Sequence, residues 1–215
     1  SYDNYPIADI LEVRPLLMQD VLGFNVTIPY KTQIIPFLDE LDEEARQIGA
    51  VNTIVKVGDY RWKGYNTDAS GFRDSLLNWF GGKSLPAKAL VLGTGGASKA
   101  ISYALDQLGT SADLVSRHFH GRYTYAELDL EVIETYKLII NTTPVGMHPH
   151  EDQFPLIPYQ FLTADHWLYD LIYNPVNTLF LRRGSQAGAM TKNGLEMLHL
   201  QAEQAWSIWK TYGQF

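Results

Sequence analysis

Two segments of the 215-residue sequence carry side chains able to move a proton, and a third could cradle a phosphate. The first is Asn25-Val26-Thr27-Ile28-Pro29-Tyr30-Lys31. A strand-like run over Gly23 to Ile28 leads into Pro29, a favoured first-turn residue. Lys31 is thereby predicted in the opening turn of a helix. The helix dipole disfavours a cation there by about 0.3–1 kcal/mol, a setting suited to an acid/base lysine. The second segment is Asn66-Thr67-Asp68, at the head of another helical stretch. An exposed lysine and an N-cap aspartate are the plain alternatives for the two residues. The pair gains chemical meaning only if Asp68 faces Lys31.

The third segment is Gly93-Thr94-Gly95-Gly96-Ala97-Ser98-Lys99-Ala100, entered from the apolar run Ala89-Leu90-Val91-Leu92. Between a strand and a helix, such glycines let the backbone turn tightly and approach a pyrophosphate, which free amides at the helix start attract. The usual third glycine is Ser98, and a glycine turn is also ordinary architecture, so the loop alone is weak. About twenty residues on, where an acidic residue would hold the ribose of NAD, stands Ser116-Arg117. An arginine there suits a 2′-phosphate and favours NADP, although a solvated surface arginine would read the same.

The elements that must position these residues alternate between strand and helix, which predicts an α/β fold with a largely parallel sheet. Ile34, Ile35, Leu38 and Leu41 continue the helical spacing after Pro29, and Gly49 closes a second, acidic helix. Val51 to Val57 reads as a strand, Phe72 to Phe80 lies on a helix, and residues 81–86 form the best linker. Further strands are expected at Ala112 to Ser116, Lys137 to Asn141 and Trp167 to Leu171, and a long helix at about Leu195 to Tyr212.

Composition narrows the function classes. Apolar residues make up 46% and charged residues 19%, as in an ordinary globular protein. The net charge of -7, without a long basic run, gives no nucleic-acid surface. The absence of cysteine excludes disulfides and thiolate metal sites. No apolar stretch approaches the roughly 18 residues of a membrane span. A cytoplasmic protein is the expectation, with neither nucleic acid nor membrane as partner.

Taken together, the segments resemble the shikimate dehydrogenase family. Asn25-Val26-Thr27-Ile28-Pro29 with Lys31, Gly49-Ala50-Val51-Asn52-Thr53, and Asn66-Thr67-Asp68 with Gly71 are similar to its three substrate motifs. Gly93-Thr94-Gly95-Gly96-Ala97 is similar to its cofactor loop and Asn141-Thr142-Thr143-Pro144-Val145-Gly146-Met147 to the segment after it. Tyr169-Asp170-Leu171-Ile172-Tyr173-Asn174-Pro175 and Gly194-Leu195-Glu196-Met197-Leu198 with Gln201 complete the set. They occur in family order along nearly the whole chain, which is more specific than any single motif.

The resemblance implies two α/β domains. Residues 1–68 with 195–215 would bind substrate, residues 69–194 would form a Rossmann-like NADP-binding domain, and the C-terminal helix would return to the first. It implies Lys31 and Asp68 as the catalytic pair, and Thr27, Asn52, Asp68, Tyr173 and Gln201 as substrate ligands. Gly93, Gly95, Gly96, Ala97 and Arg117 would hold the cofactor phosphates, with Leu171 and Gly194 beside the nicotinamide. No metal is expected, and His148-Pro149-His150 has no role. The implied reaction is NADP-dependent reduction of 3-dehydroshikimate to shikimate by a monomer or homodimer. An NAD-using quinate/shikimate dehydrogenase and a catalytically weak shikimate-binding regulatory relative are the alternatives.

Two departures stand out. The family's cofactor strand ends Asn-Arg-Thr with a further basic residue, where this sequence has Ser116-Arg117-His118 and a later Arg122. The family also opens with a βα unit bearing two serines that clamp the substrate carboxylate, about thirty residues that the sequence lacks. The natural protein is expected to carry that segment, and residues 1–215 alone to be poorly folded or inactive.

Overall fold

The chain divides into two compact units, Ser1–Thr67 with Glu203–Phe215, and Asp68–Ala202. The structure, a computed structural model, describes residues 2–118 and 120–213.

The first unit contains α1 (Val13–Leu17), β1 (Gly23–Asn25), β2 (Glu40–Leu41), α2 (Glu43–Ile48), β3 (Thr53–Gly58) and β4 (Arg61–Tyr65). Its sheet has the order β1-β3-β4-β2, with β2 parallel to β4 and the other pairs antiparallel. Val13, Leu17, Ile34, Ala45, Val51, Ile54 and Trp62 form its core. The buried Trp62 ring satisfies its one donor by giving Nε1–H to Leu17 O at 3.1 Å. Asp42 caps α2 by accepting from Glu44 N–H, and Gly49 ends it at φ 67°, as the acid-then-glycine pattern predicts.

The helix expected from Pro29 does not form. Residues 28–34 are a run of turns, followed by a short 3-10 helix at Ile35–Phe37 and then β2. Pro36 is the reason: it has no N–H to continue the ladder, and it disfavours the α conformation at Ile35. Lys31 therefore stands in a turn, with Ile34 N–H donating to Tyr30 O at 3.0 Å, and not in the first turn of a regular helix.

The second unit runs through α3 (Asp68–Phe80), β5 (Lys88–Leu92), α4 (Gly96–Gln107), β6 (Ser111–Ser116) and β7 (Tyr123–Thr124). It continues with α5 (Leu130–Thr135), β8 (Leu138–Asn141), β9 (Trp167–Asp170), α6 (Leu179–Gln186) and β10 (Met190–Lys192). The final helix, α7 (Leu195–Tyr212), begins here and ends in the first unit's share of the chain. There Trp209 Nε1–H donates to Ile54 O at 3.0 Å, in space that exists because residue 23 is glycine.

All ladders of this six-stranded sheet are parallel, in the order β10-β9-β8-β5-β6-β7. Ala89 to Leu92 and Leu138 to Asn141 are fully buried, the continuous runs that a sheet covered on both faces requires. The chain steps from β5 outward through β6 and β7, then returns to place β8 on the other side of β5. The carboxyl ends of β5 and β8 thus form a topological switch point, where open α/β sheets bind ligands. Among the described residues no helix is long and apolar enough to cross a membrane.

Candidate active site

The glycine loop lies at that switch point. Gly93 has φ 113°, and a Cβ there would stand 2.8 Å from Thr142 Oγ1, so both conformation and packing require glycine. Gly95 differs: its backbone is extended, and a Cβ there would meet nothing within 4 Å. No neighbour in the protein explains this glycine, whereas a phosphate approaching the backbone would. No side chain caps α4, whose first-turn residues Gly96, Ala97 and Ser98 present the helix start to the same place. Ser98, in the third-glycine position, is buried and turns its hydroxyl back to Gly95 O at 2.7 Å. The residues present fit a dinucleotide pyrophosphate. Arg117 is exposed immediately beyond β6, the strand next to β5.

Leu171 and Gly194 are brought together on the far side of β8. A Cβ at Gly194 would fall 2.1 Å from Leu171 O, so only glycine permits the two backbones to meet. Beneath them is a network that sequence reasoning missed. The fully buried Asp170 accepts from Thr178 Oγ1 (2.6 Å), Asn141 Nδ2 (3.0 Å) and Ile172 N–H (3.1 Å). Asn141 Oδ1 in turn accepts from Thr143 Oγ1 at 2.6 Å and Thr143 N–H at 3.1 Å. The carboxyl ends of β8 and β9 and the cap of α6 are thereby fixed to one another. Burial pushes the Asp170 carboxyl up to about 6, against the lowering effect of its three donors. The available signal was a lone carboxylate inside the apolar run Leu168 to Ile172, which must be satisfied once buried.

In the first unit Thr27, Lys31 and Asn52 share one neighbourhood. Val26 N–H donates to Asn52 O and Val51 N–H to Lys31 O, each at 2.7 Å, so the lysine segment is stitched to Val51-Asn52 at both ends. Thr27 is exposed and Lys31 half-buried. Asn52 is buried, with Thr67 N–H donating to its Oδ1 (2.8 Å) and its Nδ2 donating to Thr67 Oγ1 (2.9 Å). Asn66 Nδ2 donates to Ala50 O at 2.9 Å, a second tie between residues 66–67 and 50–52. Asn25 joins the cluster through Thr53 Oγ1 at 3.2 Å.

In the second unit Asp68 is the buried first residue of α3, and one turn on, Gly71 lies against Gln201 of α7. Tyr173 is exposed just past Leu171. His148 Nδ1 is 2.9 Å from Glu151 Oε1, and among the described residues no group of three or more His, Cys, Asp or Glu is arranged to hold a metal ion.

The sequence profile of the shikimate dehydrogenase substrate binding domain matches residues 8–54. The NADP(+) shikimate dehydrogenase of Carboxydothermus hydrogenoformans is 43% identical over 206 residues, covering 87% of this chain and 71% of its own length. The crystal structure of shikimate dehydrogenase from Aquifex aeolicus superposes with a TM-score of 0.81 at 34% identity, covering 94% of this chain and 76% of that one. Shikimate 5-dehydrogenase from Thermus thermophilus, solved in complex with NADP(H) and shikimate, gives 0.80 at 32% identity, covering 95% and 80%. With identity at this level running through most of both chains, the chain belongs to the shikimate dehydrogenase family.

Proposed function

We propose that the protein catalyses the NADP-dependent, reversible reduction of 3-dehydroshikimate to shikimate, a step of chorismate and aromatic amino acid biosynthesis. The observation that carries this reading is the 43% identity to an NADP(+) shikimate dehydrogenase along 87% of the chain. Gly95, which no protein neighbour requires to be glycine, supports a bound dinucleotide.

The loop Gly93 to Ala97 would hold NADPH, which would supply the hydride for the ketone. Lys31 gives its proton to the forming alkoxide oxygen and takes it back in the reverse direction, with Asp68 as its acidic partner. Thr27, Asn52, Tyr173 and Gln201 hold the ring hydroxyls and carboxylate, so that the reacting carbon is presented in one orientation. Gly93, Gly95, Gly96 and Ala97 receive the pyrophosphate through backbone amides, and Arg117 pairs with the 2′-phosphate. Leu171 and Gly194 flank the nicotinamide, on a backbone junction that the Asp170 network stiffens. The reading includes a cytoplasmic enzyme acting as a monomer or homodimer.

Ligand-dependent thermal unfolding of the full-length protein tests the ligand classes directly. A ligand at 100 times its Kd stabilises the folded state by about 2.7 kcal/mol. NADP and shikimate should each raise Tm, NADP more than NAD at equal concentration. Protection by neither would sink the proposal.

A further inference from the structure

Glu196 lies outside every role assigned so far, yet it joins four elements of the second unit. Its Oε1 accepts from Asn78 Nδ2 at 2.9 Å, and its Oε2 accepts from Ser75 Oγ at 3.0 Å and Lys192 Nζ at 2.6 Å. Ser75 Oγ is also 2.8 Å from the hydroxyl of Tyr169 on β9. Since Ser75 spends its single hydrogen on Glu196, Tyr169 is the donor in that contact. Hydrogen bonds therefore run from β9 through α3 to the first turn of α7, and arrive there from the end of β10 as well. Burial pushes the Glu196 carboxyl up, but its three donors outweigh that effect and hold it below the usual range.

The placement of these contacts gives them a purpose. Asp68, Gly71, Ser75 and Asn78 are spaced three, four and three residues apart, which puts them on one stripe of α3. At Gly71 that stripe touches α7 backbone to backbone: a Cβ there would lie 2.9 Å from both Cβ and N of Gln201, and 3.1 Å from Met197 O. One close contact between two helices leaves them able to pivot and slide. A second contact further along, at Glu196, removes that freedom. Asp68 heads the stripe, and Gln201 forms the facing contact.

We propose that Glu196 is a positioning residue for substrate binding: by clamping α7 to Ser75 and Asn78, it fixes Gln201 in register with Asp68. This rests on the reading of Gln201 as a substrate ligand, and the test separates the two. Steady-state kinetics on full-length protein would compare Glu196→Ala, Gln201→Ala and the double variant, with Tm recorded for each. Losing hydrogen bonds to a charged group corresponds to about tenfold, so Glu196→Ala should raise the KM for shikimate about tenfold. The KM for NADP should stay within about twofold. Because the effect passes through Gln201, the double variant should be no worse than Gln201→Ala by more than about twofold. Asn78→Ala, at an exposed position, removes one of the two bonds to α3 and should raise the shikimate KM about threefold without loss of folding.

If Gln201→Ala raises the shikimate KM while Glu196→Ala and Asn78→Ala do not, the clamp is refuted and the substrate reading survives. If Gln201→Ala has no effect, both fall. Multiplicative effects in the double variant, or equal rises in both KM values alongside a lowered Tm, would reduce Glu196 to a purely structural residue.

Discussion

Gly95 and Asn52 show two ways in which the proposed site is prepared. Around Gly95 of the second unit a Cβ would meet nothing within 4 Å, and no side chain caps the helix that starts there. Asn52 of the first unit is buried, and both ends of its amide are engaged with Thr67. The first arrangement depends on side chains being left out, the second on side chains holding one another. A site of the first kind fails when it is filled, and the fold can survive the change. One of the second kind fails when a member is removed, and the fold pays along with function.

The largest expected effect concerns the first unit's chemistry. Lys31→Met keeps the apolar stem and deletes the proton donor, so kcat should fall by about 10²–10⁴-fold. KM should change less, because Thr27, Asn52, Tyr173 and Gln201 remain in the proposed site. Steady-state kinetics on full-length protein, with folding verified by circular dichroism, would measure both. A kcat within a few-fold of wild type would shift the acid/base role to Asp68.

Next is Arg117, the proposed reader of the 2′-phosphate. Arg117→Ala should weaken NADP by ten- to a hundred-fold, for a charge-assisted contact of about 1.5–3 kcal/mol, and leave NAD nearly unchanged. Equal losses for the two cofactors would remove Arg117 as the reader of the 2′-phosphate.

The comparison itself is sharpened by a pair of variants. Asn52→Ala leaves the buried Thr67 N–H without its partner, at a cost of about 1–3 kcal/mol, so Tm and shikimate affinity should fall together. Gly95→Ala should weaken NADP about tenfold, roughly 1.4 kcal/mol, with Tm unchanged. A Gly95→Ala protein that unfolds early but binds NADP normally would reverse the account of that loop.

The smallest effect is a pH dependence at the Asp170 network. Its folded pKa is raised from 3.8 to about 6. The stability it contributes is therefore fully present below pH 3.8 and lost as pH rises through 6. The stability difference between wild type and Asp170→Asn should thus move against the wild type between about pH 4 and 7, by on the order of 1–3 kcal/mol. Denaturant titrations across that range would show it, and a flat difference would contradict the raised titration of the buried carboxyl.

How much of this was legible in the sequence depended on how completely each segment is buried. The strands at Ala89 to Leu92 and, as expected, within Lys137 to Asn141 were legible because each carries an apolar run, as a parallel sheet covered on both faces needs. The short strands β2, β4, β7 and β10 gave no comparable run. β4, Arg61-Trp62-Lys63-Gly64-Tyr65, alternates and buries only Trp62 and Gly64. The helix expected after Pro29 failed because apolar spacing was weighed without Pro36. The need for glycine was legible where a motif ties residue type to backbone geometry, as at Gly93 and Gly194. Asp170 and Glu196 act through partners far away in sequence, and no local pattern announces such a partner.

The most direct test of the central claim is a comparison of kcat/KM for the full-length enzyme with three pairs: shikimate and NADP, shikimate and NAD, and quinate and NAD. Formation of the reduced cofactor would be followed optically under identical conditions. The account predicts that shikimate with NADP gives the highest value, with shikimate and NAD lower by ten- to a hundred-fold through the missing Arg117 contact. Quinate with NAD exceeding shikimate with NADP, or no turnover with any pair, would contradict it.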